Sequence, residues 1–226
     1  MKKLVVLSGA GTSAESGLKT FRDEDGLWEG HDVMEVATPE GFKKNPELVL
    51  EFYNQRRRQL KEAKPNLAHK ILAELEKDFQ VNIITQNVDD LHERAGSNNV
   101  LHLHGELFKV RPVNNPELIM EWKNDLIIGD KDDNGNQLRP HVVWFGEAVP
   151  AMIEATKIVE EADILVVIGT SLQVYPAAGL IDYAKSKTPI YLIDPKPEIG
   201  ERPYLEIITE SATLGMKRLK KILLKK

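Results

Sequence analysis

The stretch LVVLSGAGTSAESG, residues 4–17, joins an unbroken apolar run to a turn punctuated by glycine. A run of that length without polar alternation reads as a strand buried on both faces, as in a parallel sheet. Gly9-x-Gly11-x-x-Ala14 then lets the backbone approach a pyrophosphate, with the free N–H groups of a following helix behind it. A tight turn alone would use the same glycines. An ordinary dehydrogenase carries an acidic residue on a second strand about 20 residues later. Here that interval reads TFRDEDGLWEGHD, residues 20–32, with no strand pattern. The expectation is a nucleotide site that does not transfer hydride.

Outward from this stretch, three more short β-branched runs appear: VNIITQ (81–86), DILVVIG (163–169) and PIYLID (189–194). Amphipathic helical segments separate them: MIEATKIVEEA (152–162) precedes DILVVIG, and AAGLIDYAKSK (177–187) follows it. Such alternation predicts an α/β doubly wound parallel sheet. Two regions break the alternation. Residues 29–78 read as helical, with Asn45 and Pro46 as N-cap and first residue of a long helix. Residues 107–140 are mixed and polar. Both are expected to form a smaller lobe on the ligand-binding rim, leaving 1–28, 79–106 and 141–226 as the larger part of one catalytic domain.

The 226 residues include 35 acidic and 30 basic side chains, for a net charge of −5, which disfavours a nucleic-acid partner. The absence of cysteine excludes disulfides, thiolate metal sites and a cysteine nucleophile. No apolar run is long enough to span a bilayer, and the N-terminal run breaks at Gly9 before it can act as a signal peptide. A cytoplasmic monomer without a membrane partner is expected. The C-terminal MKRLKKILLKK (216–226) reads as a terminal helix whose cations favour its own C-terminal dipole.

Polar residues gather just past the expected strand ends: Gln86, Asn87 and Asp89 after one, Gly169, Thr170 and Ser171 after another. Ligands of open α/β sheets sit there, so these clusters should share one cleft. LHLHGE (101–106) adds His102 and His104, which face the same way if the segment is extended. That arrangement suits half a metal site or a base beside a nucleotide.

GAGTSAESGLKTFRDEDGLW, TQNVDDLHERAG, LHLHGE, PHVVWFGEAVP and IGTSLQVYPAAGL, in this order, make the chain resemble the sirtuins, NAD-dependent protein-lysine deacylases. The resemblance covers nearly the whole chain. It implies a Rossmann-like doubly wound sheet with a small lobe, and NAD and acyl-lysine meeting between them. His104 would then be the general base, taking a proton from a ribose hydroxyl. Asn87 and Asp89 would serve the nicotinamide pocket. Phe21 and Arg22 would cover the reactive sugar carbon and face phosphate. The resemblance further implies NAD contacts at Gly9, Ala10, Gly11, Thr12, Glu15, Trp28, Gln86, Gly169, Thr170, Ser171, Asp194 and Ala212. VVWFGE would pair with the substrate backbone by strand addition, with Val143, Phe145 and Gly146 along the lysine channel. The implied products are nicotinamide and O-acyl-ADP-ribose.

The chain departs from the family twice. Most sirtuins carry two CxxC pairs between HGE and FGE that bind zinc; residues 107–144 contain no cysteine, so a zinc-free lobe is expected. Its candidate core is Leu118, Ile119, Trp122, Leu126 and Ile127, and DKDDNG (130–135) is read as a surface turn because its twelfth calcium-loop position is His141. The second departure is Leu192, where the family has an asparagine on the adenosine ribose, with Asp194 left to accept from the ribose.

NPELVLEFYNQRRRQL (45–60) aligns Val49, Phe52, Tyr53, Arg56 and Leu60 on one helical face. An arginine on an apolar stripe is either snorkelling or needs a partner. Tyr-x-x-Arg here resembles the sirtuins that remove succinyl and malonyl groups, with Tyr53 and Arg56 holding the acyl carboxylate. Arg57 and Arg58 are expected to be solvated. Two alternatives remain: ADP-ribosyl transfer or NAD hydrolysis in the same cleft, and a non-catalytic NAD sensor. The VVWFGE segment counts against the first, and His104, Asn87 and Asp89 together against the second.

Overall fold

Residues 3–8 and 164–168 are apolar at nearly every position because both faces of these strands are covered. The computed structural model describes residues 1–19, 27–28, 30–200 and 202–225. In chain order its elements are β1 (Lys3–Ser8), α1 (Gly11–Ala14), β2 (Leu27–Trp28), β3 (His31–Asp32), α2 (Val33–Val36), α3 (Pro39–Lys44) and α4 (Pro46–Glu62). There follow α5 (Leu67–Leu75), β4 (Gln80–Thr85), α6 (Leu91–Arg94), β5 (Val100–His102), β6 (Gly105–Pro112), β7 (Met120–Glu121) and β8 (Leu138–Val142). The chain closes with α7 (Met152–Glu160), β9 (Ile164–Ile168), a 3-10 helix (Ala177–Tyr183), β10 (Ile190–Ile193), β11 (Leu205–Ile208) and α8 (Ala212–Leu223).

Six strands form one sheet in the order β11-β10-β9-β1-β4-β5, and every pairing is parallel. The order reverses between β1 and β9, which opens a crevice at their C-terminal ends. Alternate side chains of β1 feed two cores. Leu4 and Val6 pack under α5 and α8, with Leu72, Met216 and Leu219. Val5 and Leu7 pack under α7 and the 3-10 helix, with Val159 and Leu180.

The fold is the doubly wound sheet that the sequence predicts, with local corrections. AAGLIDYAKSK is a 3-10 helix that ends at Tyr183; its N-cap Pro176 offers no side-chain cap, and Gly179 lowers helix propensity inside it. Helix α5, read as part of the helical insertion, buries Ala68, Ile71 and Leu72 on the sheet instead. Residues 107–140 are built around an antiparallel sheet, β7-β6-β8. Helix α4 starts where expected: Asn45 Oδ1 accepts from Leu48 N at 3.1 Å, and Pro46 follows it.

The core of this small sheet differs from the expected one. Leu126 is fully buried with Leu50, Val110 and Leu138, and Trp122 packs at its margin. Leu118, Ile119 and Ile127 are exposed, Ile127 by 61%. Hydrogen bonds add to the apolar contact between α4 and the lobe. Asn54 on α4 both donates to Leu126 O (3.0 Å) and accepts from Leu126 N (2.8 Å). Arg57, expected in solvent, is fully buried: its Nε donates to Leu107 O at 2.9 Å and its Nη1 to Asn54 Oδ1 at 2.8 Å. Burial lowers its pKa to about 10 against the pull of Asp125, so it stays charged at neutral pH. Arg58 is the surface residue, paired with Glu51 and Asp125.

Arg57→Ala removes the Arg57 donor from Leu107 O and one of the two donors to Asn54 Oδ1, in a buried interface. The variant should lose about 3 kcal/mol of unfolding free energy in urea. Arg57→Met, which keeps the volume, should lose less. An Arg57→Ala midpoint equal to wild type would mean that α4 is held to the small sheet by apolar packing alone.

Candidate active site

The crevice floor is a contact between two glycine loops. Gly9 N donates to Ile168 O (3.0 Å), and Gly11 N donates to Gly169 O (2.8 Å). Thr12 Oγ1 donates to Ile168 O at 3.1 Å. A Cβ on Gly169 would lie 2.2 Å from Thr12 N, and one on Gly9 would lie 2.7 Å from Gly169 O. These glycines are therefore required by the loop crossing itself, before any ligand is considered. Across the crevice, Gln86 Nε2 donates to Thr170 Oγ1 at 3.2 Å, and Ser171 lies half-buried beside it. The strand-end clusters thus share one cleft, as their positions predict.

Beyond β4 the chain turns inward. Asn87 Nδ2 donates to Gly9 O and to Ser13 Oγ, both at 3.2 Å. Ser13 Oγ donates to Asp89 Oδ2 at 2.9 Å, and Asp89 Oδ1 accepts from Leu91 N at 3.1 Å. Both Asn87 and Asp89 are buried. Burial raises the Asp89 pKa above the ordinary carboxylate value, opposed by its hydrogen bonds from Ser13 and Leu91. Ser13 is the hub of this network, and the motif reading missed it. Its second acceptor site faces His69 Nε2 at 3.5 Å, while His69 Nδ1 accepts from Asn66 N at 3.3 Å. Burial holds His69 neutral, with a pKa lowered to about 4. Asn87 Oδ1 accepts no hydrogen bond among the described residues, which leaves it for a ligand.

The two histidines of LHLHGE face consecutive carbonyls but differ at the other ring nitrogen. His104 Nδ1 lies 3.0 Å from Gln86 O, so this nitrogen carries the proton. Its Nε2 has no hydrogen bond among the described residues and keeps its lone pair. Burial lowers the His104 pKa, and the Gln86 bond partly offsets that shift. His102 Nδ1 lies 3.1 Å from Asn87 O and its Nε2 lies 2.7 Å from Glu93 Oε1. Two acceptors demand two N–H groups, which favours the imidazolium. Burial opposes that charge, but the Glu93 hydrogen bond and charge outweigh it and raise the pKa. His102 thus has both ring nitrogens engaged by acceptors, whereas His104 keeps one ring nitrogen free.

Toward the small lobe the site has an aromatic wall. Tyr53 is fully buried, and its Oη accepts from Trp144 Nε1 at 2.9 Å. The Arg56 guanidinium lies 3.6 Å over the Phe52 ring and donates to Phe52 O at 2.5 Å. Trp28 meets Phe52 and Tyr53 edge-on, at 5.0 and 6.4 Å between ring centroids. Residues 143–146 run past His104: Val143 N donates to His104 O and Phe145 N to Ala37 O, each at 2.9 Å. Phe145 is 43% exposed, and Gly146 adopts φ +89°.

The remaining expected contacts are more dispersed. Ala10 caps α1 and Ala212 opens α8. Glu15 is engaged at that second helix end, accepting from Thr213 N at 2.9 Å and from the hydroxyls of Ser211 and Thr213. Asp194 is buried and accepts from Lys196 N at 2.8 Å, while Leu192 belongs to the core under α7. Phe21 and Arg22 lie outside the described residues. The thiolate zinc set has no counterpart here, since the chain lacks cysteine and no cluster of three His, Asp or Glu forms among the described residues. In DKDDNG, Asp132 Oδ1 accepts from the backbone N–H of Asn134 and Asn136 and so closes the turn on itself.

Residues 9–176 match the sequence pattern of the Sir2 family. An NAD-dependent protein deacylase of Helicobacter pylori is 62% identical over 220 residues, covering 97% of this chain and 96% of the relative. One from Bacteroides thetaiotaomicron is 54% identical over 99% of both chains. Among solved structures, a Sir2 homologue–NAD complex superposes with a TM-score of 0.89 at 42% identity, covering 99% of this chain and 90% of that one. A Sir2 mutant with a p53 peptide and NAD superposes at 0.81 and 29% identity, over 99% of this chain and 94% of that one.

The chain has no thiolate to hold zinc, and Asn54 and Arg57 on α4 tie down the small lobe; a strong chelator is therefore expected to leave the thermal midpoint and turnover unchanged. A purified protein that contains stoichiometric zinc and melts earlier without it would overturn this expectation.

Proposed function

This chain belongs to the Sir2 family and is an enzyme of the NAD-dependent protein deacylase type; we propose that its preferred substrates are succinyl- and malonyl-lysine, with acetyl-lysine also accepted. The observation that carries the acyl preference is Tyr53 and Arg56, one turn apart on the same face of α4, with Tyr53 bonded to Trp144 in the segment whose Val143 N reaches His104 O. A carboxylate entering that wall loses hydration and requires a fixed partner. Arginine supplies a permanent charge and a forked donor, and tyrosine a further hydrogen bond.

The pocket chemistry suits NAD. When bound, NAD supplies the electrophilic sugar carbon that receives the acyl oxygen. Asn87 Oδ1 and the second lone pairs of the Asp89 oxygens suit the nicotinamide carboxamide. His104 Nε2 suits the role of base toward a ribose hydroxyl. Gly9, Gly11, Gln86, Thr170 and Ser171 line the crevice at the β1–β9 switch point, where a pyrophosphate is favoured. Val143, Phe145 and Gly146 serve the peptide by strand addition. The products on this reading are nicotinamide and O-acyl-ADP-ribose. The acyl-lysine wall favours deacylation over plain NAD hydrolysis, which needs no such wall.

A base must be neutral to act, and burial lowers the His104 pKa below 6.5. Activity should therefore rise with pH through that lowered value and be flat by neutrality. His104→Ala should lose the limb and about 100- to 10,000-fold in turnover. A variant with near-normal rate and an intact limb would assign the base elsewhere.

Arg56→Met should lower the succinyl-to-acetyl ratio of kcat/KM by roughly 30- to 1,000-fold, corresponding to about 2–4 kcal/mol for a half-made buried ion pair. Tyr53→Phe should lower it less, since one donor is lost. Equal losses on both substrates would give Arg56 a role in the fold or in NAD binding.

A further inference from the structure

Tyr53 cannot orient its own hydroxyl. A phenol carries one O–H donor and two acceptor lone pairs, and its proton rotates to suit its surroundings. Its neighbour at 2.9 Å is the indole Nε1 of Trp144. Indole N–H only donates, so this contact has one possible polarity: Trp144 donates and Tyr53 accepts. The Tyr53 proton must then point away from Trp144. Burial raises the Tyr53 pKa far above its ordinary value, against the lowering effect of the Trp144 bond and the charges of Arg139 and Arg56. The hydroxyl keeps its proton at neutral pH and remains a donor.

Trp144 is itself held from three sides. The Arg139 guanidinium lies 3.3 Å over its ring, and Phe42 packs against it at 5.2 Å. Glu147 locks the arrangement, accepting from Arg139 Nη1 at 2.6 Å, from Arg139 Nη2 at 3.0 Å and from Trp144 N at 2.8 Å. The ring is buried within this clamp. Trp144 also sits between Val143 and Phe145, whose amides anchor the segment beside His104 and Ala37. One indole therefore links that segment to the hydroxyl on α4.

We propose that Trp144 is a specificity-determining positioning residue. Its N–H occupies one lone pair of Tyr53 Oη, so that the hydroxyl proton is presented to the carboxylate of an acidic acyl group. This inference rests on the acidic-acyl reading of Tyr53 and Arg56. Acetyl-lysine has no carboxylate to receive that proton, so the effect belongs to succinyl- and malonyl-lysine.

The test is Trp144→Phe, which keeps an aromatic ring under Arg139 and deletes the N–H. Incorporating β-(3-benzothienyl)alanine at position 144 is the closer match in shape and serves if the phenylalanine variant folds poorly. The succinyl-to-acetyl ratio of kcat/KM should fall about 10-fold in either protein, the size of one hydrogen bond to a charged group, with the change in KM rather than kcat. In a Tyr53→Phe background the same replacement should cause no further fall, because the hydroxyl it orients is gone. Equal losses on both acyl groups, or losses that add to those of Tyr53→Phe, would overturn the proposal. Arg56→Met run in parallel separates the two levels. A collapsed ratio with Arg56→Met but an unchanged one with Trp144→Phe sinks the role of Trp144 and spares the acyl reading. No change of ratio with Arg56→Met sinks both.

Discussion

The site depends on two loops crossing at a distance that only glycine allows. Gly11 N reaches Gly169 O at 2.8 Å, and any side chain on Gly169 would meet the backbone of Thr12. The contact joins the ends of β1 and β9, the two strands between which the sheet changes direction. Once it forms, other placements follow. Gly9 O becomes available to Asn87 Nδ2, and Thr170 Oγ1 comes within reach of Gln86. The glycine motif thus builds the pocket as well as leaving room for phosphate. The cost of a Cβ there is steric and falls on the fold before it falls on the ligand.

From that floor the polarity of the pocket follows by hydrogen-bond counting. Carbonyl oxygens only accept, so each imidazole facing one must place a proton there. His104 meets one carbonyl and keeps a free lone pair. His102 meets a carbonyl and a carboxylate and has none to spare. One extra acceptor, Glu93, distinguishes the two imidazoles: it raises the His102 pKa, while His104 keeps a free lone pair. The same counting makes Ser13 a hub, since one hydroxyl donates to Asp89 while accepting from Asn87. Indole, which only donates, fixes Tyr53 in the same way.

The central strands were legible because both their faces are buried, which leaves an unbroken apolar run in the sequence. The edge strands were not. In β11 only Ile208 is fully covered, and the three residues of β5 are all half-buried, so neither strand carries such a run. Position in a cleft was legible for Asn87, Asp89, Thr170 and His104, since strand ends converge in this architecture. Partnership was not. Ser13 and Asp89 are 76 residues apart, and Tyr53 and Trp144 are 91 apart. No local pattern encodes such pairings. Arg57 misled for a related reason: beside Arg56 and Arg58 it reads as one member of a solvated run, and its burial arises from Leu107, 50 residues further on. Leu118, Ile119 and Ile127 misled in the opposite sense, being apolar residues on a lobe too thin to cover them.

Helix α4 carries two adjacent functions because of its period. Tyr53 and Arg56 form one i,i+3 row, and Asn54 and Arg57 form the next, one residue further round. The first row faces the aromatic wall, and the second grips Leu107 and Leu126 of the small lobe. Both rows belong to one continuous helix. In a zinc-bearing lobe the metal would fix the distance between the small sheet and its neighbours. In this cysteine-free chain, Leu50 and the Asn54–Arg57 row join α4 to the small sheet, and the same helix carries Tyr53 to Trp144. The hold on the small lobe and the Tyr53–Trp144 contact thus lie in adjacent rows of a single helix.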